Sequence, residues 1–324
     1  MILQLFNSYF LLALSILSFA TAVPVPDPYN DDEISVYIVP GNRTFPEGIA
    51  RQLNSPYFYV GSVINGDIYR GSVHEEHLVP FLTGSAYNLT GAAGMKIDCK
   101  DRLYIAGGGS GTLFVFDLHT KKLLHRFSNG FSGQNQTLLN DLAIDEAGNV
   151  YVTDTVQPTL FRIKASEVDS PTVDLPLEKW IDLTGALGPG ANGIVVTEDQ
   201  KHLLVADIFA GEIWRVVISS RKVDKVDIAG GLIGAPDGLL IRHDILYAVN
   251  ALPEVGQSVR VIEMHPGYLS GTQVRSITSE LLEKPSTAAF DGDDFLVVNF
   301  QFDAIQGPAL PVLPFTVVRI PIEG

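Results

Sequence analysis

Six segments of this chain repeat one pattern: a pair of small or polar residues, an apolar run, a turn, a second apolar run, then a third. They begin FPEGIARQLNSPYFYVG, AAGMKIDCKDRLYIAGG, LNDLAIDEAGNVYVTD, ANGIVVTEDQKHLLVAD, PDGLLIRHDILYAVN and STAAFDGDDFLVVN. Aligned at Gly48, Gly94, Asp141, Gly193, Gly238 and Ala288, they recur every 45–52 residues, the period of propeller blades. The small sheet of one repeat cannot bury both of its faces alone; six stacked radially around an axis can. The apolar runs are short, rich in Val, Ile, Leu, Tyr and Phe, and punctuated by turn signals such as Asn65-Gly66, Ala147-Gly148-Asn149 and Asp291-Gly292-Asp293. The pattern predicts an all-β fold, a six-bladed β-propeller of four-stranded antiparallel blades. Helical turns are expected only near Ser279–Leu282 and Ala165–Val168. The leading strand ISVYIV, Ile34 to Val39, has no hairpin partner of its own. It is expected to pair in the last blade beside FTVVRIPI, closing the ring so that no sheet edge stays open.

Composition narrows the partners. A net charge of −15, with no Lys/Arg cluster, argues against nucleic acid. The 46% hydrophobic and 18% charged fractions suit a well-buried core. Residues 34–324 read as a single domain and, because a closed ring needs no partner, as a monomer. Residues 1–22 read as a signal peptide: Phe10 to Phe19 form an apolar core, and Ala20-Thr21-Ala22 a cleavage pattern. Residues 23–33 then form a flexible leader. The expectation is a secreted protein with no membrane attachment after cleavage, and Asn42, Asn88 and Asn135 stand in glycosylation sequons. Cys99 is the sole cysteine, so the ring holds by packing and strand pairing. It is expected in a strand, as a buried inert thiol.

Function is read from the starts of the innermost strands, which in a propeller surround one channel mouth. There the repeats carry Glu47 (PEG), Asn140 (LND), Asn192 (ANG) and Asp237 (PDG), while the second and sixth offer Ala93 or Gly94 and Ser286 or Thr287. Two carboxylates and two amide oxygens make a hard-ligand set of formal charge −2, suited to Ca²⁺, with Mg²⁺ or Mn²⁺ as substitutes. No His or Cys joins them, against a zinc or copper centre. Taken singly, these dipeptides are ordinary turn residues; together, with a Glu among them, they read as a metal site.

PEG, ND, NG and PDG, in this order and at blade spacing, resemble the senescence-marker-protein/gluconolactonase family over essentially the whole chain after the leader. The resemblance implies six-bladed propellers with one divalent cation in the channel mouth that hydrolyse lactones and, in some members, organophosphates. It also implies that Glu47, Asn192 and Asp237 hold the metal, while Asn140 sits beside it and touches substrate. Asp237 is the expected proton acceptor for an attacking water. One departure stands out. Sugar-lactone members carry a basic side chain two residues before the third-blade Asn, where this chain has Leu138. Neighbouring AAGM, STAAF and LIGAP are apolar or small too, so a hydrophobic lactone or ester is expected in place of a sugar lactone.

Two alternatives stand beside this hydrolase: a cyclase or isomerase of small-molecule biosynthesis, and a non-catalytic ligand-binding propeller. Other motifs are discounted. Gly188 to Gly193 matches a dinucleotide fingerprint but precedes a strand, and Gly107 to Gly111 lacks the lysine of a phosphate loop and reads as a blade turn. His74 and His77 read as solvated, and Asp154, Asp207, Asn250 and Asn299 as caps at second-strand ends. Trp180 and Trp214 are expected to pack between blades.

Overall fold

The computed structural model describes residues 35–230, 233–250, 256–306 and 310–323; the signal segment and leader read from the sequence lie outside them. Each repeat folds as a sheet because its residues alternate between two apolar faces. In the second repeat, Leu103 and Ile105 pack toward the first, against Tyr59 and Ile68, while Tyr104 and Ala106 pack toward the third, against Leu142 and Val152. The same division recurs around the molecule, one buried cluster between each pair of neighbouring repeats. The sixth cluster joins last to first, with Leu296, Val298 and Phe315 against Phe58 and Val60.

In the first repeat Pro46–Arg51, Tyr57–Ser62, Ile68–Ser72 and Glu75–Leu82 pair antiparallel in chain order, from the inside outward. The other innermost strands are Met95–Ile97, Leu139–Ile144, Ala191–Val196, Pro236–Arg242 and Pro285–Asp291. Each contacts the next, and the last contacts Pro46–Arg51, so the cycle closes. An eight-stranded sheet consists of the first and last four-stranded units joined by one parallel bridge, Ile38 to His77. Counting those two separately, the described strands form six units, each built on four antiparallel strands, and the β-propeller read from the repeats is the observed fold.

The ring closes as expected: Val36–Val39 pairs antiparallel with Phe315–Pro321, with Val36 opposite Val318 and Val39 opposite Phe315. Two units carry an unforeseen fifth strand. Asp174–Pro176 lies parallel to Leu123–Ser128, and Asp227–Ala229 parallel to Ser270–Ile277. Both cover an outer edge that would otherwise expose unpaired backbone groups.

Other local expectations divide. Ala165–Val168 is helical, whereas Ser279–Leu282 closes only one turn, from Leu282 N to Ser279 O. Cys99 is exposed, not buried in a strand. Asp98 accepts the Lys100 and Arg102 backbone N–H groups on Oδ1, and this ends the strand before Cys99. His74 and His77 are exposed as expected. Asp154 caps its turn, accepting from the backbone N–H groups of Leu138, Val156 and Gln157, and Asp207 accepts from Phe209 and Ala210. Asn250 and Asn299 accept from Ala235 and Glu283 in the same manner. Trp180 and Trp214 lie in the apolar cluster between the third and fourth units.

Candidate active site

The candidate side chains are aimed by a recurring irregularity. In five inner strands the pairing register slips at the same place, so that two residues oppose one on the second strand: after Pro46, Leu139, Ala191, Pro236 and Pro285. Such a bulge re-aims side chains. The paired residues within the bulges are Glu47-Gly48, Asn140-Asp141, Asn192-Gly193, Asp237-Gly238 and Ser286-Thr287. In the sixth unit this equates Thr287, not Ala288, with the glycines, because Ala288 already pairs with Val297 as Ile49 pairs with Val60. Alignment by small residues alone placed it one residue late.

Two glycines are required by crowding at the axis. A Cβ on Gly193 would stand 2.2 Å from the Asp237 carbonyl oxygen, and one on Gly238 2.1 Å from Thr287 Oγ1. Neighbouring units are also laced to one another near the axis: Ser286 Oγ donates to Glu47 O (2.8 Å), Gly94 N to Asn140 O (2.7 Å) and Thr153 Oγ1 to Asn192 O (2.7 Å). Side-chain positions at the mouth are thus tied to the closed ring.

Glu47, Asn140, Asn192 and Asp237 line one cavity, together with Asp141, Lys96 and Thr287 among the polar residues and Ile49 and Met95 among the apolar ones. The cavity is about 10 Å³, room for one water-sized particle. All four predicted side chains are buried. Asn140 Nδ2 donates to Thr155 Oγ1 at 3.0 Å, and Thr155 donates on to Ala191 O at 2.9 Å, which leaves Asn140 Oδ1 for a guest. Glu47 Oε2 is buried with no hydrogen-bond partner.

Burial, followed by the charges of Asp237 and Asp141, holds the Glu47 carboxyl well above the usual carboxylate range. Burial first, then the charge of Asp141, pushes Asp237 up to about 7, against a lowering hydrogen bond from Asn192. Two crowded carboxylates and an unpartnered oxygen are what a divalent cation would relieve. Among the described residues no three His, Cys, Asp or Glu side chains are placed to hold a metal ion by themselves. A cation here would therefore depend on the amide oxygens as well as on Glu47 and Asp237, and that donor set fits Ca²⁺.

Sequence reasoning missed Asp141 and Lys96 and left Thr287 as an alternative to Ser286. Asp141 and Thr287 occupy the second bulge position, glycine in the other units, and a carboxylate where others need glycine was the available signal. Asp141 joins three units: Oδ1 accepts from Leu142 N (2.8 Å) and from Lys96 Nζ (3.3 Å), and Oδ2 from Ile194 N (3.4 Å). Seven of the eleven lining residues carry polar or charged side chains, while Ala92, Ala93 and Ile233 of the apolar segments are spent in packing between units. Apolar surface lies instead on the loops at this end of the ring, where Ile64, Phe209, Leu281, Phe302, Leu310, Val312 and Leu313 are exposed.

The sequence matches the family model described as SMP-30/Gluconolactonase/LRE-like region over residues 47–297. The chain belongs to this SMP-30/gluconolactonase-like family. No curated protein matches it. Among solved structures, a gluconolactonase from Xanthomonas campestris is similar at a TM-score of 0.62 and 15% identity, with 86% of each chain covered. The major Malassezia sympodialis allergen Mala s 1 is similar at 0.61 and 13%, covering 88% of this chain and 96% of that one. The virginiamycin B lyase of Staphylococcus aureus is similar at 0.57 and 9%, covering 89% and 97%. These likenesses show the propeller fold of this SMP-30/gluconolactonase-like chain.

Proposed function

We propose that the protein is a secreted hydrolase of lactone or ester bonds that depends on a divalent cation, Ca²⁺ first, and acts on a small molecule with a substantial apolar portion. The observation that carries this reading is the convergence of Glu47, Asn140, Asn192 and Asp237 on one buried cavity, with Glu47 Oε2 left unpartnered. Glu47, Asn192 and Asp237 would hold the cation, with Asn140 beside it. A bound divalent cation supplies a Lewis acid that polarises the substrate carbonyl.

The chain's own residues do the rest. Asp237, which lines the cavity, accepts a proton from an attacking water. The water oxygen bonds to the acyl carbon, the acyl–oxygen bond breaks, and the proton passes from Asp237 to the departing oxygen. Asn140, fixed by Thr155, offers Oδ1 to orient that water or a substrate hydroxyl. The apolar residues on the surrounding loops, Phe209 and Phe302 among them, favour a substrate with a hydrocarbon portion. Asn42, Asn88 and Asn135 are exposed, as glycan acceptors must be.

The test is a panel of aliphatic, aryl and sugar lactones, with and without chelator. Hydrolysis of the apolar members, abolished by EDTA and restored by Ca²⁺, is the expected result. Metal-loaded protein inert toward the whole panel defeats the hydrolase reading. A rearranged product formed without uptake of labelled water moves the function to a cyclase or isomerase. Secretion is checked by the N-terminal residue of the exported chain and by a mass shift on deglycosylation.

A further inference from the structure

Lys96 is anomalous within its own fold. It lies one residue beyond Met95 on the second inner strand, a place the other five inner strands fill with Ala50, Ala143, Val195, Leu240 and Ala289. All five of those are apolar and buried. Lys96 instead lines the cavity, its Nζ 3.3 Å from Asp141 Oδ1. Asp141 is anomalous too, a carboxylate where four other repeats have glycine. The two departures occur on neighbouring strands and meet.

The charge count gives the pair a meaning. The cavity lining contains three carboxylates, Glu47, Asp141 and Asp237, one ammonium, Lys96, and no other charged residue. Buried charges are tolerated when they are paired. Without Lys96 the formal charge is −3; with it the charge is −2, the complement of one divalent cation.

We propose that Lys96 is a built-in counter-ion that neutralises Asp141 and sets the residual charge of the carboxylate cage at −2, so that the site favours divalent over trivalent cations. This rests on the cation reading above. Asp141 then shapes the site through Lys96 and through its backbone contacts to Leu142 and Ile194, and Lys96 acts as a positioning residue without touching substrate.

The test uses the full mature protein and two probes, Ca²⁺ by titration calorimetry and Tb³⁺ by sensitised luminescence, with thermal unfolding in EDTA as a cation-free measurement. Lys96→Met is expected to tighten Ca²⁺ binding roughly tenfold and Tb³⁺ binding by a larger factor, since each removed positive charge acts more strongly on the higher-valent ion. In EDTA the same variant should melt roughly 3 °C or more below wild type. Lys96→Arg should match wild type in all three. Lys96→Met/Asp141→Asn, again at −2, should return the Tb³⁺-to-Ca²⁺ preference to the wild-type ratio and recover the melting loss. Lys96→Gln serves if the Met variant does not fold.

Unchanged affinities in the Lys96 variants, or a double variant that behaves like Lys96→Met alone, overturns the proposal. Failure of the cation reading appears differently. Wild type would then bind neither probe, and the EDTA melts alone decide the counter-ion: a Lys96→Met protein as stable as wild type rejects it.

Discussion

Replacing Asp237 with Asn keeps the side chain's shape and removes its titration, so it isolates what the buried carboxyl does to stability. In the folded protein burial, and then Asp141, push this carboxyl up to about 7 from 3.8. A raised acid binds its proton more tightly folded than unfolded. Its contribution is therefore fully present below about pH 4 and is lost as pH rises toward 7. Across roughly three pH units at 1.36 kcal/mol each, the loss is on the order of 4 kcal/mol. For a chain of this size that is on the order of 8 °C in melting temperature. In EDTA, wild type should fall relative to Asp237→Asn between pH 4 and 7, and the two should converge near pH 4. Excess Ca²⁺ at pH 8 should restore wild type and leave the variant nearly unmoved, because the cation stabilises the ionised carboxylate. Thermal unfolding at half-unit pH steps reads the difference directly. Melting curves for the two proteins that stay parallel from pH 4 to 8 in EDTA would refute the assignment of a raised, buried carboxyl.

Gly193→Ala should be severe, because its Cβ would lie 2.2 Å from a backbone oxygen of the next unit, whereas Gly188→Ala, with nothing within 4 Å, should be near neutral; soluble yield and melting temperature compare them. Thr155→Val removes the hydroxyl that holds the Asn140 amide and should weaken Ca²⁺ binding about 10- to 100-fold by calorimetry while costing about 1 kcal/mol of stability. An unchanged affinity there would show that Asn140 needs no such support. Tyr37→Ala, in the strand that closes the ring, deletes a fully buried ring packed edge-on to Phe58 at 5.2 Å and should cost about 3–5 kcal/mol in denaturant unfolding.

Much of the fold was legible because its causes are local and repeated. Alternation of apolar residues marks each strand, a glycine or small residue marks each crowded inner start, and six repetitions leave few ways to bury the faces. The orphan strand at Val36–Val39 was traceable for the same reason, since an unpaired strand at one end of the chain implies an open place at the other. Glu47, Asn140, Asn192 and Asp237 were found because symmetry superposes equivalent positions.

What escaped depended on partners remote in sequence. The sixth unit was set one residue off because its bulge is defined by pairing with Val297 and Asn299, not by the small residues Ser286 to Ala289. Cys99 was misplaced because Asp98, through two backbone hydrogen bonds, turns the chain where apolar neighbours suggest a strand. The cavity was expected to be apolar, yet alanines near its rim are consumed by packing between units.

Read as a string, then, this chain dictates a ring of small sheets and the four oxygen-bearing side chains at its mouth, since both follow from residue type repeated at a regular interval. Only the assembled molecule decides the electrostatics: that Asp141 turns into the same cavity, that Lys96 from the adjoining strand answers it, and that Glu47 keeps one oxygen without a partner. Those relations arise between neighbouring strands brought together by ring closure, and charge acts through space without regard to position along the chain.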